Sequence, residues 1–398
     1  MVAGPTSPSA VPTAEPGRAR AVRLESLTIA RFVAALLVFV FHASLVGFFA
    51  ADPSGQEGLR GVLHNLGNFG VAFFFVLSGF VLTWSRRPRD TYRSFLIRRM
   101  VRLYPTHWFT SMIALALAGA GGASVGHLLV NMGLLHSWFP DAGTFFSINF
   151  PSWSISTELF FYAAFPVLVI PIVNLGPRGL KILLAAVVAA ILMLPFLTLS
   201  SSFDSAPVFD LAFAASPVHG RSQLTVWFLY IFPVSRCLDF IVGICIARLI
   251  MIGHVRTVPV SGAMIWLVVV YVAGLYTPFE WQLAAMPVLA AIPMIVALAQ
   301  LDLRRPVRGA GWARRMGVQL GSASFAFYLL HEAILKALRQ IPSIVSSSTT
   351  RQVATTTAVL LISVAGSITI HRWVEEPPLR ALARLQRSRG RGVARPND

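Results

Sequence analysis

An arginine and a histidine, Arg31 and His42, share one apolar stretch, Leu24–Gly47. At about 100° per residue a helix brings them within about 20° of each other on one face, about 16 Å apart along its axis. An ionisable group in hydrocarbon is costly and suggests function by default. Arg31, near a helix end, can instead snorkel to the headgroups. His42 lies too deep for that, and its bland alternative is a neutral ring bonded to a backbone carbonyl. A second apolar stretch, FPSWSISTELFFYAAFP (150–166), holds Glu158, with Trp153 five residues before it and Tyr162 four after. The two stretches cross in opposite directions, so Glu158 and His42 are expected at one level. A carboxylate there would orient the imidazole and raise its basicity for taking a proton from an alcohol.

Other residues suit ligand contact. In FLIRRMVRLYPTHW (95–108), Arg98, Arg99 and Arg102 stand at i, i+1 and i+4, so Arg102 shares a helix face with Arg99 or with Arg98. Planar guanidinium forks match phosphate oxygens, whether of a cytosolic ligand or of anionic lipid. Ser78 and Gly79 interrupt the aromatic run GVAFFFVLSGF (70–80), where small residues let helices approach closely. Arg236 and Asp239, at i and i+3, either neutralise each other or touch substrate. Tyr328, His331 and Glu332 follow in ASFAFYLLHEAIL.

The elements that must position these residues are membrane helices. Of 398 residues, 56% are hydrophobic and only 12% charged, which excludes an ordinary soluble domain and indicates an all-α polytopic membrane protein. Apolar stretches near 27–49, 68–85, 103–121, 152–173, 180–199, 225–251, 259–277, 282–301, 318–338 and 353–373 predict about ten transmembrane helices. Residues 125–139 read as interfacial or re-entrant. With both termini cytoplasmic, most of the 33 lysines and arginines fall on the inner side, so the net charge of +17 is topological and implies no nucleic acid. Residues 1–23 read as a disordered cytoplasmic tail, 24–380 as the membrane domain and 381–398 as a basic cytoplasmic tail. Cys237 and Cys245 fall in one apolar segment and imply neither a disulfide framework nor a metal site.

Taken in order, the pieces Arg31-x10-His42, FFFVLSGF, RRMVRLYP, PSWSISTELFFY, RCLDFIVG, YLLH and the terminal Glu375-x-Pro377 resemble the acyltransferase-3 family of integral-membrane O-acyltransferases. The resemblance runs from about residue 24 to 380. It departs at Phe32, where family members usually carry a glycine soon after the arginine. It implies transfer of an acyl group from acyl-coenzyme A to a hydroxyl, commonly on a sugar, in the bacterial inner membrane. It makes His42 and Glu158 the catalytic residues, with His42 as base and Glu158 holding its ring. Arg31, Arg98, Arg99 and Arg102 become the donor's phosphate ligands. Trp153, Tyr162, Ser78, Arg236, Asp239 and His331 are expected to meet substrate, and no metal is implied. The chain stops about 25 residues after its last predicted span, resembling stand-alone members that acylate sugars of macrolides and similar antibiotics; envelope carbohydrate is the other acceptor class. The rival reading is a secondary transporter with a proton relay, disfavoured because no paired halves are found. A structural scaffold gives no reason for His42 and Glu158.

Overall fold

The computed structural model describes residues 24–45, 61–87, 90–119, 122–210, 216–304, 311–341 and 348–392. The expected tail 1–23 and residues 393–398 lie outside these. Helix α1 (Glu25–Leu45) carries both Arg31 and His42. Its first turn is tied at both ends of the chain's reach: the Ser26 hydroxyl donates to Asp302 at 2.6 Å, and Glu25 accepts from Arg314 at 2.8 Å.

Helices α2 (Leu66–Trp84) and α3 (Tyr92–Ala118) follow, then the short α4 (Val125–Met132). Next come α5 (Trp153–Val173), α6 (Pro177–Leu197), α7 (Pro233–Met251), α8 (Val260–Leu275) and α9 (Ala285–Arg304). Helices α10 (Trp312–Arg339), α11 (Thr349–Ile370) and α12 (Glu376–Gly392) complete the fold, α12 running through much of the expected basic tail. The architecture is all-α; the described residues hold isolated β-bridges but no strand.

A helix stands at each of the ten expected positions, and among the described residues seven are long and apolar enough to cross a membrane. Helix α8 has only 16 residues. Helices α3 and α10 are long, but they carry the ionisable groups of the site: Arg98, Arg99 and Arg102 on α3, His331 and Glu332 on α10.

Backbone contact through glycine holds the centre together. A Cβ on Gly243 of α7 would lie 1.9 Å from the Val76 carbonyl, and one on Gly79 of α2 would lie 2.0 Å from that of Phe240. Only hydrogen fits at this crossing, which bears out the packing reading of Gly79. Gly321 does the same for α10 on α1, with Thr28 O 2.0 Å from its absent Cβ. Helix α10 also packs on α3 and α11, and α7 on α5 and α6. Outer faces are apolar, as at Ile182 and Leu361. The 125–139 segment turns Val125 and Leu129 outward, while buried Asn131 donates to Ser147 O at 2.8 Å and Ser137 bonds Ser156 at 2.6 Å. It is an apolar-faced piece wired to the start of α5. Cys237 and Cys245 are buried free thiols.

Candidate active site

His42 lies in the last turn of α1, 4% exposed, and its environment sets its tautomer. His331 Nδ1 is 3.0 Å from the Phe327 carbonyl, which can only accept, so that nitrogen carries a proton. The neutral His331 ring then presents Nε2 as an acceptor, 2.9 Å from His42 Nδ1. His42 therefore donates from Nδ1 and keeps a lone pair on Nε2. Glu332 Oε2 stands 3.6 Å from His42 Nδ1, and its other oxygen is 3.5 Å from Arg339. A proton arriving at Nε2 would create an imidazolium beside a carboxylate, the arrangement a general base needs. The donor atoms of His42, His331 and Glu332 lie within 4.8 Å of one another, a set with metal-ligand chemistry. The ring–ring contact at 2.9 Å, however, is a hydrogen-bond distance that engages both nitrogens with each other.

The carboxylate beside His42 is thus Glu332, which corrects the expected pairing with Glu158. Glu158 instead accepts from Ser78 at 3.1 Å and from Tyr162 at 2.5 Å, in a cavity shared with Arg31, Arg99 and Arg102. The physical reason is where α5 starts. The turn Phe150–Ser152 sets the helix's first residue, Trp153, in the wall of the His42 cavity. Glu158 follows about 7.5 Å further along the axis, inside the neighbouring cavity. Ile148, at φ 61°, sits in the left-handed region that a β-branched residue rarely adopts, two residues before Phe150. The Phe150 ring in turn meets His42 edge-on at 5.5 Å.

Of the α3 arginines, Arg99 and Arg102 line the inner cavity. Arg98 does not: it bonds Asp90 at 2.5 Å and Ser94 at 2.8 Å. Neighbouring positions stand about 100° apart on a helix, so Arg98 and Arg99 cannot both join Arg102 there, and the bond to Asp90 takes Arg98 away. Arg99 lies over the rings of Phe95 and Tyr162, at 5.5 and 5.6 Å. Arg102 is backed by buried Glu375 at 3.8 Å, which is also 3.0 Å from His371. A widened turn over His371–Glu375 brings that terminal glutamate inward. Arg31 faces this cavity rather than lipid.

The two cavities share Val71 and Tyr328 as common wall. The outer one holds His42, Trp153 and Tyr230, with the amides of Asn65 and Asn68. Tyr230 reaches it from a second widened turn, Trp227–Ile231, and its ring lies 4.7 Å from that of Trp153. Arg236 and Asp239, expected to meet substrate, line neither cavity. They pair at 2.6 Å, each 1% exposed, with the guanidinium under Phe75 and Tyr230 at 5.3 and 5.7 Å. Their i, i+3 spacing neutralises both charges behind the two walls. His331, likewise expected at substrate, is fully buried behind His42.

An acyltransferase domain model matches residues 24–372. The chain belongs to the acyltransferase-3 family. Acyltransferase MdmB of Streptomyces mycarofaciens is 33% identical over 380 residues, covering 92% of this chain and 94% of the relative. Exopolysaccharide production protein ExoZ of Rhizobium meliloti (strain 1021) is 26% identical over 299 residues, covering 71% of this chain and 80% of the relative. No solved structure matches. Membership in an acyltransferase family makes group transfer, rather than transport, the frame for the buried charges.

Within this acyltransferase-3 fold, Glu332, Tyr328, Asn65 and Asn68 are the site residues that spacing alone did not assign. The signal for Glu332 was two adjacent ionisable residues, His331 and Glu332, in an otherwise apolar run.

Proposed function

We propose that this protein moves a short acyl group from acyl-coenzyme A to a hydroxyl of a sugar-bearing acceptor, in the bacterial inner membrane. The observation that carries the reading is the junction at Tyr328: a guanidinium-lined cavity on one side, the cavity lined by His42 on the other. Arg31 and His42 are about 16 Å apart along α1, so a donor held by its phosphates at the arginines must reach the base through a long slender arm. The pantetheine chain of coenzyme A has that form; an acyl phosphate does not.

His42 Nε2 takes the acceptor's proton as the alcohol oxygen attacks the thioester carbonyl. The new C–O bond forms, the C–S bond breaks, and the proton passes from His42 to the departing thiolate. Glu332 stabilises the transient imidazolium, and His331 holds the ring in its productive tautomer. Glu158, hydrogen-bonded by Ser78 and Tyr162, orients the arginines among which it sits. Much of the remaining catalysis is positioning.

The outer cavity supports a sugar-bearing acceptor. It presents aromatic faces from Trp153, Tyr230, Phe146 and Phe150 beside two amides, the mixture of flat apolar surface and directed polar groups that suits a sugar ring. The acceptor would enter from the side opposite the arginines. A glycosylated natural product is the favoured acceptor, in keeping with the flat aromatic faces and directed amides of that cavity. Envelope carbohydrate is the second class, in keeping with the name of the Rhizobium relative.

Membranes containing the protein, given radiolabelled acetyl- or propionyl-coenzyme A and a glycosylated macrolide or an envelope oligosaccharide, are expected to form a labelled O-ester. Wild-type turnover by His42→Ala would remove the proposed base.

A further inference from the structure

A third cavity, of about 230 Å³, opens between the α2–α3 connection and the later half of α5. It adjoins the inner cavity directly, with Leu82 and Arg99 lining both. The three spaces therefore form a series: His42, then Tyr328, then the arginine cavity, then Arg99, then this one. Arg86, Arg87, Arg98 and Arg99 face it, and Asp90 is the carboxylate among its described lining residues. Asp90 is already bonded to Arg98, so the charge of Arg86 and Arg87 is left for a ligand. Among the described residues no carboxylate pairs with either. Tyr92 lies half-exposed across the opening, its hydroxyl 3.4 Å from the Ala163 carbonyl, and Pro166 stands opposite as an apolar wall.

Coenzyme A carries three chemical parts in the same order: a thioester arm, a diphosphate, and an adenosine bearing a 3′-phosphate. We propose that this third cavity is the 3′-phosphoadenosine subsite, with Arg86 and Arg87 on the 3′-phosphate and the Tyr92 ring beside the base. The assignment rests on the acyl-coenzyme A reading above and adds to it a source of donor selectivity. Two guanidiniums on a dianionic phosphate give charge-assisted, bidentate bonds. Dephospho-coenzyme A, lacking that group, leaves them unused. Anionic lipid headgroups offer the same phosphate chemistry, so the test separates the two.

The full chain in phosphatidylcholine nanodiscs, free of anionic lipid, is assayed with acetyl-coenzyme A and acetyl-dephospho-coenzyme A. Wild type is expected to show a KM on the order of tenfold or more lower for the phosphorylated donor. In the Arg86→Gln/Arg87→Gln variant that ratio should fall to about one, through a raised KM for acetyl-coenzyme A. Its elution profile and melting temperature report whether it is folded. Adenosine 3′,5′-bisphosphate should compete with donor in wild type and lose potency in the variant. Equal KM values for both donors in wild type, or an undiminished ratio in the variant, overturn the subsite while leaving the donor reading intact. A defect confined to nanodiscs containing phosphatidylglycerol assigns the arginines to lipid and also overturns it. Wild type inert with every acyl-coenzyme A brings down the donor reading, and the subsite with it.

Discussion

Replacing Glu332 by glutamine tests which carboxylate serves His42. The substitution preserves shape and removes one negative charge 3.6 Å from His42 Nδ1. At that separation an imidazolium–carboxylate pair is worth about 4.6 kcal/mol in an effective dielectric of about 20. Arg339, 3.5 Å from the other Glu332 oxygen, stands in both enzymes, so its repulsion of the imidazolium cancels from the comparison. Loss of about 4.6 kcal/mol of transition-state stabilisation slows the chemical step by on the order of 10³-fold. The assay is acyl transfer at saturating donor and acceptor in nanodiscs. Because Arg31, Arg99 and Arg102 are untouched, KM for the donor should stay within about twofold. Glu158→Gln should do the reverse, disturbing donor KM more than kcat, since Glu158 stands among those arginines. A Glu332→Gln enzyme with wild-type kcat beside a Glu158→Gln enzyme with crippled kcat would refute the reasoning and return the ring-orienting role to Glu158.

Four further outcomes follow from the geometry. His42→Ala should insert and elute normally yet lose about 10²–10⁴-fold in turnover, the range of a general base; Arg102→Ala, keeping the base, should lose about 10–100-fold in kcat/KM for the donor. Asp239→Asn, which strands a buried guanidinium, should cost about 3–5 kcal/mol of stability, whereas Arg236→Met with Asp239→Leu should recover most of it in a thermal melt; equal melting of the single and double variants would show that the pair is not a structural one. Gly243→Ala drives a methyl to 1.9 Å from the Val76 carbonyl and should abolish monodisperse protein, while Gly176→Ala, with nothing within 4 Å, should elute as wild type.

Much of the site could be read from the chain because it depends on properties internal to one helix. Composition and apolar runs identify the all-helical membrane class. The Arg31–His42 spacing places both side chains toward cavities rather than lipid, as 3.6 residues per turn requires. The i, i+3 spacing of Arg236 and Asp239 leaves mutual neutralisation open beside substrate contact, and the burial of both residues selects it. For Arg98, Arg99 and Arg102 the periodicity allows two pairings, and the local bond of Arg98 to Asp90 selects one.

What periodicity does not contain is the axial offset of one helix against another. A helix's own sequence orients its faces, but how far it slides past a neighbour depends on where its flanking turns end and where backbones meet. The turn before Trp153 sets α5 so that Glu158 falls beside the arginines. The contact of Gly321 with Thr28 anchors α10 against α1, and ten residues further along α10 His331 and Glu332 reach His42. The sequence by itself determined the membrane fold, the histidine and the arginines. Tertiary packing decided which acid meets the imidazole, because a shift of a turn or two along the axis, invisible to any local pattern, exchanges one glutamate for another.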